Sequence, residues 1–132
     1  MIMRESLLIF LGGGMGALAR YVLSRHISMR FFTSIPLGTL FVNATGSVLM
    51  GFFFSLLNAS LLPPGYRALV TVGFIGAYTT FSTYALETVS LLQKREYWPA
   101  LLNFILNNAV SLAAIIAGMF LSLWLTAAIR NR

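Results

Sequence analysis

The residues able to do chemistry in this 132-residue chain sit where a lipid-facing helix would want leucine. Between Gly73 and Glu87 the hydroxyl residues Thr79, Thr80, Ser82 and Thr83 cluster, and Glu87 lies one helical turn beyond Thr83. Phe81 and Tyr84 form an aromatic i, i+3 pair on an adjoining face. Two further polar stripes carry spacings of four: Thr39, Asn43 and Ser47, then Asn103, Asn107 and Ser111. Hydroxyls and amides supply hydrogen-bond donors that can stand in for water around a small ion. Gly73 and Gly76 weaken the same helix, and a helix broken at membrane depth is tolerated where its carbonyls face protein or bind a cation. The residues alone leave two readings open, a lined conduit or hydrogen bonds that hold helices together.

The elements that position these groups follow from hydropathy. The chain is 58% hydrophobic and 9% charged, too apolar for a soluble domain of this length. Four apolar stretches stand out, Ser6 to Ser24, Leu37 to Leu57, Ala68 to Leu92 and Trp98 to Ile129. Each reaches the roughly 20 residues a helix needs to cross the hydrocarbon core. The expected architecture is all-α and integral to the membrane: one domain over residues 1–132, four transmembrane helices, the third broken. Pro36 marks the start of the second helix and Pro63-Pro64-Gly65 the loop after it. In the first helix Gly12, Gly16 and Arg20 share a face, where small residues admit a close neighbour. Arg20 at the end of that groove either snorkels to the headgroups or charges the groove.

Composition also excludes. There is no cysteine, hence no disulfide, thiolate metal site or cysteine nucleophile. The single histidine, His26, falls after the first apolar stretch and is expected in a solvated loop. No nucleophile–base pair and no metal-ligand cluster accompany these residues, so no enzyme is expected. The net charge of +6 is scattered over loops and termini, which fits contact with anionic headgroups rather than nucleic acid. The first stretch is too long for a signal-peptide core and lacks a clear small-x-small cleavage site, so it is expected to remain as a span. With four spans, Arg4, Arg67, Arg130 and Arg132 fall on one side and Arg25, Arg30, Lys94 and Arg95 on the other. Four against four gives no positive-inside bias, so the chain is expected to insert both ways and pair with an inverted copy; a single decisive loop is the other reading.

At these residues the chain resembles the Fluc (CrcB) fluoride channels. The matching segments are Gly12-Gly13-Gly14-Met15-Gly16 through Arg20-Tyr21, Gly38-Thr39-Leu40-Phe41-Val42-Asn43, Gly73-Phe74-Ile75-Gly76, and Thr79-Thr80-Phe81-Ser82-Thr83 through Glu87. The hydroxyl run with its downstream glutamate is the specific part, and the resemblance covers essentially the whole chain in order. It implies a passive fluoride exporter that relieves fluoride toxicity in a microbial plasma membrane. It further implies an antiparallel homodimer with two pores, and a structural sodium ion at the dimer centre held by the backbone carbonyls of Gly76 and Thr79.

Fluoride is small and strongly hydrated, so under this resemblance the pore must be dense in donors. Asn43, Ser82, Thr83, Asn107 and Ser111 can present N–H or O–H groups, with Thr39 on the same track. Phe81 and Tyr84 correspond to the family's phenylalanine pair, whose ring edges are positive. Arg20 makes the vestibule electropositive, and Glu87 acts as an acceptor that orients Thr83. Two departures stand out: Tyr84 replaces a phenylalanine and its hydroxyl needs a partner, and Asn103 and Asn107 stand where relatives often carry tyrosine and serine. The rivals are a proton-coupled transporter of dual topology, carrying its proton on Glu87, and a membrane scaffold. A small multidrug transporter would need a carboxylate embedded in the first helix, where only Glu5 at the extreme N-terminus is found.

Overall fold

Helix α1 spans Ile2–Arg30 in the computed structural model, which describes residues 2–63 and 65–130. Pro64 of the expected breaker and Arg132 of the charge count therefore lie outside the described residues. The apolar stretch ends at Ser24, but no proline or glycine follows until Pro36, so nothing stops the helix at the membrane surface. Arg25 and His26, expected in a loop, consequently lie on the last turns of α1.

Helix α2 (Leu37–Asn58) starts directly after Pro36, as the sequence predicts. It ends before the proline pair, through Ser60 in the left-handed region (φ 56°) and a Leu61 N–H bond to the Leu56 carbonyl at 3.1 Å. Helix α3 is wound as a π-helix over Arg67–Ile75 and returns to α-helical winding for Gly76–Tyr78. Thr79 and Thr80 are extended, and helix α4 (Phe81–Gln93) starts afresh after them. It closes through Arg95 (φ 62°), with the Glu96 N–H bonded to the Leu91 carbonyl at 2.9 Å, the six-to-one bond of a Schellman end. Helix α5 (Tyr97–Arg130) is the longest, and Pro99 in its first turn removes no needed hydrogen bond.

Four spans result: Ile2–Arg30, Leu37–Asn58, Arg67–Gln93 and Tyr97–Arg130, each long and apolar enough to cross a bilayer. The chain is a multi-pass membrane protein. The third span is broken at Thr79–Thr80, as expected, while the π winding ahead of the break has no counterpart in the sequence reading.

Two helix pairs build the bundle. Helix α2 packs against α5, and α1 packs along the π-wound part of α3. Both contacts bring backbones together, because a Cβ on Gly118 would strike the Val48 carbonyl and a Cβ on Gly16 would strike the Phe74 carbonyl. Helix α4 leans on α5. The interior is unusually polar: Val42, Ile75, Asn103 and Ser122 are the largest fully buried side chains. Large apolar residues such as Phe10, Leu86, Ile116 and Phe120 point outward, as a lipid solvent requires.

Candidate functional site

One side chain bonds both backbone groups of Thr80 at the break in the third span. Asn43, on α2, accepts the Thr80 N–H at Oδ1 (2.8 Å) and donates from Nδ2 to the Thr80 carbonyl (3.1 Å). It thereby supplies the partner that the Thr80 N–H loses when the chain leaves the helix, where an unpaired group would be costly, and adds a second donor to a carbonyl that already starts α4. Thr80 also caps α4: its Oγ1 accepts the Thr83 N–H at 3.2 Å and donates to Thr83 Oγ1 at 2.9 Å.

From Asn43 the hydrogen bonds continue head to tail. Asn43 Nδ2 donates to Asn107 Oδ1 (2.9 Å), and Asn107 Nδ2 donates to Asn103 Oδ1 (2.9 Å). Asn103 Nδ2 then donates to Thr88 Oγ1 (2.9 Å), which donates to the Tyr84 carbonyl (2.9 Å). The four-residue spacing of Asn103 and Asn107 on α5 lets their amides stack one turn apart, and burial of both makes satisfaction of every amide proton worth having. The sequence reading gave the Asn43 amide to a passing ion; here both its N–H groups already donate within the protein.

Two cavities meet at Thr80. The larger, ≈ 340 Å³, is lined by Asn43, Ser47, Thr79, Phe81, Tyr84, Asn107, Asn108 and Ser111 among others, with no charged side chain in its wall. The smaller, ≈ 220 Å³, is lined by Arg20, Tyr21, Ser24, Thr39 and Thr83, with Arg20 as its one charged residue. Thr80 belongs to both walls. The hydroxyls of Ser47, Ser111, Thr39 and Thr83 can turn their protons toward an anion, and Arg20 is the one charge at the mouth of the track.

The expected residues thus divide into two groups. Asn43, Phe81, Tyr84, Asn107 and Ser111 surround the larger cavity; Arg20, Thr39 and Thr83 surround the smaller. Phe81 and Tyr84 meet edge to face, centroids 5.4 Å apart at 72°, with Phe81 76% exposed and Tyr84 buried. Ser82 lines neither cavity; it is exposed, turned about 100° round α4 from Phe81. Glu87 pairs with Thr39, whose Oγ1 donates to Glu87 Oε1 at 2.7 Å, rather than with Thr83, which Thr80 occupies. The other carboxylate oxygen, Oε2, is buried with no hydrogen-bond partner among the described residues.

Arg20 extends from the Gly12–Gly16 face of α1, and its Nη1 lies 3.5 Å from the Thr79 carbonyl. The carbonyls of Gly76 and Thr79 are among those the break releases from helical duty. In an unbroken helix the Thr80 N–H would reach Gly76 and the Thr83 N–H would reach Thr79, but these groups go to Asn43 and to Thr80 Oγ1. Gly76 is exposed.

Three neighbours had no role assigned from the sequence, although Thr80 stood in the hydroxyl run. Thr80 and Thr88 act through their hydroxyls at the break and at the end of the amide chain. Asn108 donates to the Tyr84 hydroxyl at 3.0 Å. The stripe of fours passes over Asn108, yet a tyrosine hydroxyl in a membrane helix demands a partner, and that demand was visible.

Residues 7–119 match the family described as CrcB-like protein, Camphor Resistance (CrcB). The chain is 42% identical over 116 residues to a Shewanella baltica protein named fluoride-specific ion channel FluC, covering 88% of this chain and 94% of that one. A Shewanella oneidensis protein of the same name is similar to the same extent, 42% over 116 residues with 88% and 94% covered. A third of that name, from Trichormus variabilis, is 48% identical over 103 residues, covering 72% of this chain and 75% of its own length.

Proposed function

This chain belongs to the CrcB family, and from that premise we propose that it is a fluoride-selective passive ion channel that lets fluoride leave the cell. The observation that carries the reading is the pair of donor-lined cavities joined at Thr80, one of them with Arg20 as its one charged residue. Arg20 raises the local concentration of anions. The hydroxyls of Thr39 and Thr83 receive a partly dehydrated ion, and the Asn43–Thr80 contact is the gate between the cavities. Beyond it, Ser111, Asn107 and the positive edges of Phe81 and Tyr84 replace the remaining water. At Asn43 the ion takes an N–H from Thr80 or Asn107, an exchange of one acceptor for another rather than the loss of a bond.

The functional unit is an antiparallel homodimer with two pores, in keeping with the balanced loop charges and with apolar side chains outward on all four spans. Gly76 and Thr79 would hold a sodium ion at its centre. The fit rests on their carbonyls, both released from helical bonding by the break, and on the open side of Gly76. Such an ion would supply the positive charge that draws the carbonyls of two copies together.

One observation favours a second reading. The unpartnered Oε2 of Glu87 is the kind of group that a proton-coupled transporter uses as its carrier. One experiment separates the two. Purified protein is reconstituted in liposomes loaded with potassium fluoride, and efflux is followed with a fluoride electrode after valinomycin is added. The channel reading expects fast release that requires the ionophore, with no comparable release of chloride. Release driven only by a proton gradient would replace it with coupled transport.

A further inference from the structure

We infer that the Tyr84 hydroxyl is an additional fluoride donor in the larger cavity, and that Asn108 is the positioning residue that aims it; the inference rests on the channel reading above. Asn108 Nδ2 donates to the Phe104 carbonyl at 2.7 Å and to the Tyr84 oxygen at 3.0 Å. One nitrogen makes both contacts, and a carbonyl can only accept, so the Tyr84 oxygen is the acceptor in its bond with Asn108. A phenolic O–H lies in the plane of its ring, with the proton on one side of the C–O axis and a lone pair on the other. Asn108 occupies the accepting side, and the proton is turned to the opposite one.

That proton has no acceptor among the described side chains, although Tyr84 is only 5% exposed and lines the ≈ 340 Å³ cavity. The residue is fixed at its backbone as well as at its ring. Thr88 Oγ1 and Asn103 Nδ2 bond the Tyr84 carbonyl, at 2.9 and 3.5 Å, and Phe81 abuts the ring at 72°. A hydroxyl that accepts a hydrogen bond becomes a better donor, so Asn108 strengthens the group as well as orienting it. A phenylalanine at this position offers an anion only a ring edge; tyrosine with a fixed partner offers an O–H as well.

The test is fluoride efflux from liposomes, measured against fluoride concentration, for the unaltered chain, Tyr84→Phe, Asn108→Leu and the double variant. Removing one hydrogen bond to a charged ligand raises the half-saturating fluoride concentration about tenfold in Tyr84→Phe. Asn108→Leu frees the proton without removing it, so the expected rise is smaller, about threefold. In the Tyr84→Phe background Asn108→Leu adds no further shift, because there is no hydroxyl left to aim. An unchanged half-saturating concentration in Tyr84→Phe would overturn the donor role. A shift from Asn108→Leu that persists beside Tyr84→Phe would overturn the positioning role and make Asn108 a helix-packing residue. Asn108→Ala repeats the comparison with a smaller side chain if the leucine variant yields no folded protein. Absence of efflux from the unaltered chain would instead overturn the channel reading, and this inference with it.

Discussion

Asn43→Asp isolates the junction between the two cavities with a change of a single group. Aspartate keeps an oxygen to accept the Thr80 N–H, now at 2.8 Å. Where Nδ2 donated, it places a second oxygen against the Thr80 carbonyl, at 3.1 Å, and against Asn107 Oδ1, at 2.9 Å. Asn107 Oδ1 loses its donor, at about 1–3 kcal/mol, while the Thr80 carbonyl keeps the first bond of α4 but now faces an oxygen, which adds repulsion to that cost. Asn107 can relieve one clash by turning its amide over, but it then abandons Asn103 Oδ1, 2.9 Å away, and the deficit only moves along the chain. The new carboxylate also repels the anion where the two cavities meet. If about 3 kcal/mol of this falls on the conducting state, fluoride efflux drops about a hundredfold. The assay is ionophore-dependent efflux from liposomes, on protein that elutes as a single species, with thermal unfolding measured beside it. Efflux within about threefold of the unaltered chain, in a folded protein, would refute the reasoning, because no path through Thr80 could ignore such a change. A lowered Tm with intact efflux would leave Asn43 with a purely structural role.

Three other substitutions probe separate parts. Phe81 is 76% exposed on the protomer, so Phe81→Ile leaves the helix packing alone; we expect about a tenfold loss of efflux with unchanged elution on gel filtration, and full efflux would remove the aromatic edges from the path. At Gly76 an added Cβ meets nothing closer than the Thr71 carbonyl at 3.5 Å, so the protomer accommodates it. The damage from Gly76→Leu should then fall on assembly, read as a loss of dimer on gel filtration, whereas dimeric and fully active protein would dissolve the proposed carbonyl site. Glu87→Gln retains an oxygen for the Thr39 hydroxyl and removes the carboxylate. Passive efflux should change by less than about tenfold, the worth of one hydrogen bond, and loss of all pH-driven transport would establish the proton-coupled alternative.

The four spans were legible because lipid imposes a strong, one-dimensional rule: roughly 20 apolar residues in a row, whatever their neighbours do. The last three matched the structure to within a residue or so, and only α1 outran its apolar stretch, since charged side chains end hydrophobicity without ending a helix. The polar stripes were legible for the same reason. A threonine, asparagine or glutamate in such a helix is conspicuous, and spacings of four place Asn103 and Asn107 on one face without any coordinates. Which groups pair across helices was another matter. Sequence periodicity is a property of single helices, whereas Thr39 meeting Glu87 and Asn43 meeting Thr80 depend on how far α2 sinks against α4 and against the break. That depth is set by glycine contacts between whole helices, Gly16 on the Phe74 backbone and Gly118 on Val48, and these fix all cross-helix distances together. The hydrophobic pattern alone decides that this chain lives in a membrane and which residues face inward; only helix-on-helix packing decides which donor reaches which acceptor, because hydrogen bonds are sensitive to tenths of an ångström and burial to lipid is not.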